Sequence, residues 1–379
     1  MYDADLSDEQ IMLKTTVRDF CRREAPRDKI AAMTNNGETA HVDALYRKMA
    51  DQGWLGIGVP ESFGGEGGTF VEELLVVEEL SYGRAPVGGH LTTSILVHAV
   101  AEFASDQQRE TLFPAVVAGD VMSIAITEPD AGSDVSALRT RATERGVGWV
   151  LNGQKMFCTN INIAQWVIVV AKVGGQSDDR HAGMTLFLVP TDRPGITHNR
   201  VPTLGHVDTN AVFFDNVEVG PEDVFGKVGG AFSHLISLLN TERLILGAYS
   251  VGLARRALDD TIAYVNQREQ FGKPVGKFQA VQHTIAEMAM KVYAGESLML
   301  RVGRKVDAGV ATGQEASIVK LYTSEAAKEV TLDGMQMMGG YGYMMEFDMQ
   351  HYLRDAVVGT VFGGTSQIQK NLIAHQVGL

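Results

Sequence analysis

The residue best placed to do chemistry is Glu242. It stands as an acid among leucines in the stretch LLNTERLILGAYSVGLARRALDDTIAYVNQREQFGKPVGKFQAVQ, Leu238 to Gln282. Apolar residues recur around it at helical spacing, through Leu235, Leu239, Leu246, Leu253, Ala257 and Ile262, with no Pro to interrupt them. Tyr249 follows about two turns along the same face. The spacing predicts that this helix ends near Phe271-Gly272-Lys273-Pro274, where Gly and Pro supply a stop. A second amphipathic helix is predicted from Phe278, repeating at Val281, Ile285, Met288 and Val292. Just before the break stands Arg268, which taken alone reads as a solvated cation at a helix end.

Other stretches offer less. GIGVPESFGGEGG (56–68) is Gly-rich like a phosphate loop, but it lacks the Lys-Ser/Thr ending and the GxGxxG spacing, so it reads as a turn-rich connection. Phe157 reads equally well as a core aromatic of a strand. Cys21 and Cys158 lie far apart without metal-ligand spacing, and they read as reduced thiols of a cytosolic protein. The net charge of −13, with no basic cluster, disfavours a nucleic-acid partner. The apolar share of 45% and charged share of 21% are those of a soluble globular chain, and 379 residues imply two or three packed units. The amino terminus, MYDADLSDEQ, is acidic and lacks an apolar targeting core, and no run is long enough to cross a membrane. A cytoplasmic protein is the expectation.

Three blocks of elements must position these residues. Residues 1–119 read as helical: Ser7 to Gln10 fits a capping box, and FVEELLVVEELSYG and His90 to Phe103 read as further helices. The segment DQQRETLFPAVVAGD leads out of this block. From Val121 to about Phe225, β-branched and aromatic residues cluster in short runs (GWVLNG, WVIVVAKV, MTLFLVP, NAVFFDNVEV) punctuated by Gly, Pro, Asn and Asp. That pattern predicts an antiparallel barrel or sandwich. Helical periodicity resumes at Ala231 and continues to the carboxyl terminus.

Three separated signatures carry a family resemblance: AITEPDAGSDVSALRT at 125–140, LNGQKMFCTN at 151–160, and the late set QMMGGYG, YLRDA and VFGGTSQIQ. Together with REQFGKPVGKFQ and the helical–β–helical order, they resemble the acyl-CoA dehydrogenases over essentially the whole chain. The resemblance implies an α+β fold with an N-terminal helical domain (1–119), a central antiparallel β-barrel domain (120–228) and a C-terminal four-helix-bundle-like domain (229–379). It implies FAD as cofactor. Ile126 and Thr127 would bond the isoalloxazine ring, Phe157 would lie against it where many relatives carry Trp, and Thr159 would set its hydroxyl near the reactive ring nitrogen. Arg268, Phe271 and Gln279 would bind the pyrophosphate and adenosine of a neighbouring subunit's FAD, because an Arg fork suits a diphosphate. Gln336, Gly339 and Gly340, with Thr365 and Gln367, would complete that pocket. Sites shared in this way imply a homo-oligomer, usually a tetramer.

The resemblance also implies a base that takes a proton from the carbon next to a thioester carbonyl. Many members place a Glu directly before Gly-Thr in the late motif, where this chain has Gly363. A minority, including isovaleryl- and long-chain-type enzymes, carry it on the long helix at the position of Glu242. This chain shows both halves of that exchange. Ser133, Arg243, Tyr249, Gly363 and Gly364 are the expected substrate side, with Ser133 on coenzyme A. The implied activity is conversion of an acyl-CoA to the trans-2-enoyl-CoA, with an electron-transfer flavoprotein as acceptor. The alternatives are an oxygen-using oxidase or monooxygenase of the same fold, a dehydrogenase acting on an acyl carrier protein thioester, and a non-enzymatic, nucleic-acid-associated flavoprotein, which the charge disfavours.

Overall fold

A computed structural model of the chain describes residues 6–34, 37–174, 180–205 and 208–379. The first five residues of the acidic amino terminus lie outside the described residues. Polar caps start the early helices. Ser7 and Gln10 cap α1 (Asp8–Glu24) reciprocally, and α2 (Arg27–Met33) and α3 (Asp43–Ala50) follow. Thr69 and Glu72 cap α4 (Phe70–Gly83) in the same way; α5 (Gly88–Phe103) comes next, and Ser105 and Gln108 cap α6 (Asp106–Val117). Each such cap is worth about 1 kcal/mol. Periodicity does not predict α2, α3 or α6. The first two are short, and α6 carries Pro114, which removes one backbone donor and breaks the apolar pattern. The Gly-rich link is a turn-rich connection: its N–H groups bond within the loop, Glu66 to Gly56 at 2.9 Å and Gly67 to Val59 at 3.0 Å.

The strands are β1 (Met122–Ala125), β2 (Arg141–Arg145), β3 (Gly148–Thr159), β4 (Trp166–Val173), β5 (Met184–Pro190), β6 (Ile196–Arg200), β7 (Thr209–Val219) and β8 (Val224–Phe225). They form one sheet in the order β6-β7-β3-β2-β4-β5-β8, with β1 paired to β4. The expected antiparallel barrel needs correction. Both β1 and β2 run parallel to β4, and among the described residues the pairing path ends at β6 and β8 without closing. Alternation identifies strands but not their partners. The excursion from Ile126 to Thr140 returns the chain so that β2 lies alongside β4 in the same direction. Inward side chains such as Leu151, Val169, Phe187, Val212 and Val217 build the sheet's core.

After the sheet come α7 (Ala231–Gln267), a small hairpin of β9 (Glu269–Gln270) and β10 (Lys273–Pro274), α8 (Gln279–Asp307), α9 (Gly313–Met338), α10 (Met349–Gly359) and α11 (Ser366–Gln376). Phe271 and Gly272 turn the hairpin at φ 53° and 79°, the pair of left-handed positions that a two-residue turn requires. Compact packing divides the chain into a helical unit (Met1–Ile30, Thr69–Ala85, Glu242–Leu379) and a sheet unit (Ala31–Gly68, Pro86–Thr241). In the helical unit, α7 to α10 share an apolar core that includes Leu253, Leu258, Met288, Val292, Val330 and Tyr352. Beside it lies a buried ionic network: Arg255 bonds both Glu78 and Glu79, and Lys14 bonds Glu296 at 3.0 Å. Among the described residues, no helix is long and apolar enough to cross a membrane.

Candidate active site

Within the helical unit, α7 carries Glu242 and the segment between α10 and α11 carries Gly363 and Gly364. Gly363 sits at φ +61°, and a Cβ built there would lie 3.6 Å from Oε1 of Glu242 and 2.4 Å from Cδ1 of Leu246. Two positions 121 residues apart in sequence therefore aim at one point. Leu246, one turn beyond Glu242, occupies the volume that a side chain at Gly363 would need. Glu242 itself is half-buried. Burial pushes its carboxyl up to about 7, against the downward pull of Arg243 and Lys320. Among the described residues no hydrogen bond or close ion pair holds this carboxyl, so it is poised to exchange a proton rather than locked as an anion.

Tyr249 is half-buried, and its hydroxyl bonds the carboxylate of Asp355 on α10. Burial and that carboxylate hold the phenol well above its usual range, so it stays neutral. Arg243 is buried beside Glu242. Arg268 is exposed, with its guanidinium carbon 5.6 Å from the ring centre of Tyr341, which directly follows Gly339 and Gly340. The structure thus brings Arg268 to the QMMGGYG loop, with the expected Gln336 exposed in the last turns of α9. Phe271 is 92% exposed at the hairpin tip and meets Phe278 edge-on, next to the exposed Gln279. Thr365 caps α11 by accepting from the Ile368 N–H at 3.2 Å, and Gln367 is exposed on the first turn of that helix.

In the sheet unit, Ile126, Thr127, Phe157 and Thr159 come together at the ends of β1 and β3. The Met156 N–H donates to the Thr127 carbonyl at 2.8 Å, and the Ser123 hydroxyl donates to the Thr159 carbonyl at 2.7 Å. Pairing between β3 and β7 slips between Lys155 and Cys158, and Phe157 sits in that bulge at φ 59°. A bulge re-aims a side chain, and Phe157 is left 59% exposed instead of in the core. An exposed flat ring beside a Thr hydroxyl that no described residue bonds fits a flavin, which needs a stacking face and a polar contact at its edge. Ser133 is exposed in the excursion that follows.

Some residues that fasten these loops are not legible in the sequence. Lys155, fully buried, bonds the Ile126 carbonyl at 2.9 Å and Glu128 at 2.9 Å, while Glu128 also accepts from the Arg139 and Thr140 N–H groups. This pair fastens the ITEPDAGSD loop to β3. Lys320 and Gln369 do the same for the late motif. The Lys320 ammonium bonds the Gly364 carbonyl at 2.7 Å, and the Gln369 amide donates to the Gly363 and Gly364 carbonyls at 3.1 Å each. A signal did exist for Lys320, which falls on the apolar stripe of α9 with Ala316, Thr323, Ala327 and Val330.

Comparison with known proteins identifies the family. Residues 7–120, 123–217 and 232–378 match the family models for the N-terminal, middle and C-terminal domains of acyl-CoA dehydrogenase. The chain is 35% identical over 376 residues to an acyl-CoA dehydrogenase of Bacillus subtilis, covering 97% of this chain and 98% of the relative. It is 32% identical to a mitochondrial short/branched chain specific acyl-CoA dehydrogenase of Bos taurus, over 97% of this chain and 85% of that one. An acyl-CoA dehydrogenase structure from Geobacillus kaustophilus superposes with a TM-score of 0.94 at 32% identity, covering 99% of this chain and 100% of the other. The chain belongs to the acyl-CoA dehydrogenase family of FAD-dependent oxidoreductases.

Proposed function

We propose that the protein dehydrogenates acyl-CoA thioesters between the α- and β-carbons, releasing the trans-2-enoyl-CoA, with Glu242 as the base. The convergence of Glu242 and Gly363 on one point carries this reading, because it gives a physical sense to the missing carboxylate of the late motif. A carboxyl pushed up to about 7 is matched to taking a proton near neutral pH, where general-base catalysis is worth about 10²–10⁴-fold. Bound FAD would supply the acceptor for the hydride that leaves the β-carbon. Ile126, Thr127, Phe157 and Thr159 would hold its ring, while Arg268, Phe271, Gln279, Gln336, Gly339, Gly340, Thr365 and Gln367 would serve the diphosphate and adenosine end of a neighbouring subunit's FAD. Ser133 meets coenzyme A. Arg243 supplies a buried positive charge next to the base, and Gly363 and Gly364 leave backbone rather than side chain facing the thioester.

The substrate class proposed is a short or medium acyl chain, branched substrates included. Similarity to the short/branched chain specific enzyme supports this, as does the fixed hydroxyl of Tyr249 beyond the base. Electrons pass to an electron-transfer flavoprotein. The assembly is a homotetramer, for which the apolar surface at Phe271 (92% exposed) and Tyr343 (80% exposed) gives a reason. Purified protein mixed with a panel of straight and branched acyl-CoA esters tests the reading. Loss of the yellow flavin absorbance and turnover with an artificial acceptor are expected for the shorter esters. No bleaching by any acyl thioester sinks it.

A further inference from the structure

Lysine is almost never fully buried unless something holds it, yet Lys320 is 1% exposed in the middle of α9. Its ammonium reaches the Gly364 carbonyl at 2.7 Å, in the turn whose neighbour Gly363 faces Glu242. We propose that Lys320 is a positioning residue for the reaction: it clamps the Gly363–Gly364 turn to α9 and holds a buried positive charge behind the turn that faces Glu242. The proposal rests on the assignment of Glu242 as base.

The geometry separates two duties. Gln369, also fully buried, donates to the same carbonyls at 3.1 Å, so the turn has a neutral clamp of its own. Only Lys320 adds charge. The charged groups that bear on Glu242 are Arg243 from its own helix and Lys320 from α9, and Glu325 in turn acts on Lys320. Burial opposes charge on both members: it pushes Glu242 up to about 7 and Lys320 down to about 8. Each ion is therefore kept charged near neutrality partly by the other. A carboxylate deprived of a neighbouring positive charge shifts upward by about one pH unit or more.

The test compares Lys320→Met with Gln369→Leu in the FAD-loaded protein. Flavin reduction by an acyl-CoA ester should rise with pH along a limb set by Glu242. In Lys320→Met that limb moves up by about one pH unit, so that the rate at pH 6 falls about tenfold. In Gln369→Leu the limb stays in place, because a merely structural clamp does not carry charge. Lys320→Gln, which keeps an N–H for the Gly364 carbonyl without the charge, replaces the Met variant if that one does not hold FAD. A second readout needs no turnover: a thermal-unfolding cycle of Glu242→Gln and Lys320→Met at pH 8. Melting shifts that do not add are expected. An unmoved limb together with additive melting shifts overturns the role of Lys320 and leaves the dehydrogenase reading intact. Undiminished flavin reduction in Glu242→Gln removes the base assignment and this proposal together.

Discussion

A side chain at Gly363 would begin 3.6 Å from Oε1 of Glu242. One small volume thus receives its carboxylate from α7 here, and it could receive it from the turn before α11. Glu242→Gln keeps the shape and polarity of that group and removes its basicity. Stopped-flow absorbance should show flavin reduction slowed by about 10²–10⁴-fold while the acyl-CoA still binds. Reduction at close to the parent rate rules Glu242 out as the base.

The exchange is not freely reversible. A Cβ at position 363 would lie 2.4 Å from Cδ1 of Leu246, and the backbone there has φ +61°. The left-handed conformation costs a residue with a side chain about 1–2 kcal/mol. Gly363→Glu in the Glu242→Gln background is therefore expected to leave flavin reduction unrestored. Adding Leu246→Ala opens the space, and part of the rate should return. Recovery without the change at Leu246 shows that this leucine moves aside unaided.

The raised carboxyl also makes a prediction about pH. Glu242 has a pKa of about 7 in the fold against 4.5 as its ordinary value. Its contribution to stability is complete below the unfolded value and is lost as pH rises through 7. Glu242→Gln should then match the parent near pH 4 and become the more stable protein between pH 4.5 and 7, by at most about 3 kcal/mol. Above pH 7 the gain should be flat. Denaturant unfolding at several pH values measures it, and equal midpoints at pH 4 and pH 8 contradict the buried carboxyl.

Much of this was legible before any coordinates. Periodicity located α7 and its end, because Gly272 and Pro274 act on the backbone locally. The run of β-branched residues located the sheet, because side chains that suit a pleated surface declare themselves in one dimension. The route of the strands did not, since the parallel pairing of β1 and β2 with β4 depends on where a fifteen-residue excursion lands. The orientation of Phe157 hinged on a bulge, which is a mismatch between two strands and leaves no mark in either one alone. Glu242 stood out as an acid among leucines, and the resemblance gave it a role. Lys320 and Lys155 did not stand out, because a lysine is read as solvent-facing by default and only the carbonyls of Gly364 and Ile126 explain why these are not.

The last prediction concerns chain length. Leu246 and Tyr249 follow Glu242 at four and seven residues along α7, so the three share one stripe of the helix. Tyr249 is not free to swing, because its hydroxyl bonds Asp355 on α10 and its carbonyl accepts from the Ser81 hydroxyl at 2.7 Å. A ring held through its hydroxyl, on a backbone that is itself held, gives way poorly to an extra methylene, and overpacking of that kind costs about 1–3 kcal/mol. If the acyl tail runs along this stripe, chains longer than the distance to Tyr249 meet a wall. Butyryl, octanoyl and palmitoyl esters should then be used in decreasing order by the parent protein. Tyr249→Gly removes the ring and should raise kcat/KM for the octanoyl and palmitoyl esters by about tenfold while leaving butyryl nearly unchanged, since 1–3 kcal/mol is a factor of about 10 to 200. Tyr249→Phe keeps the wall but cuts its tie to Asp355, so its effect on the longer esters should fall between the two. A parent that prefers palmitoyl, with the same order in Tyr249→Gly, places the tail elsewhere.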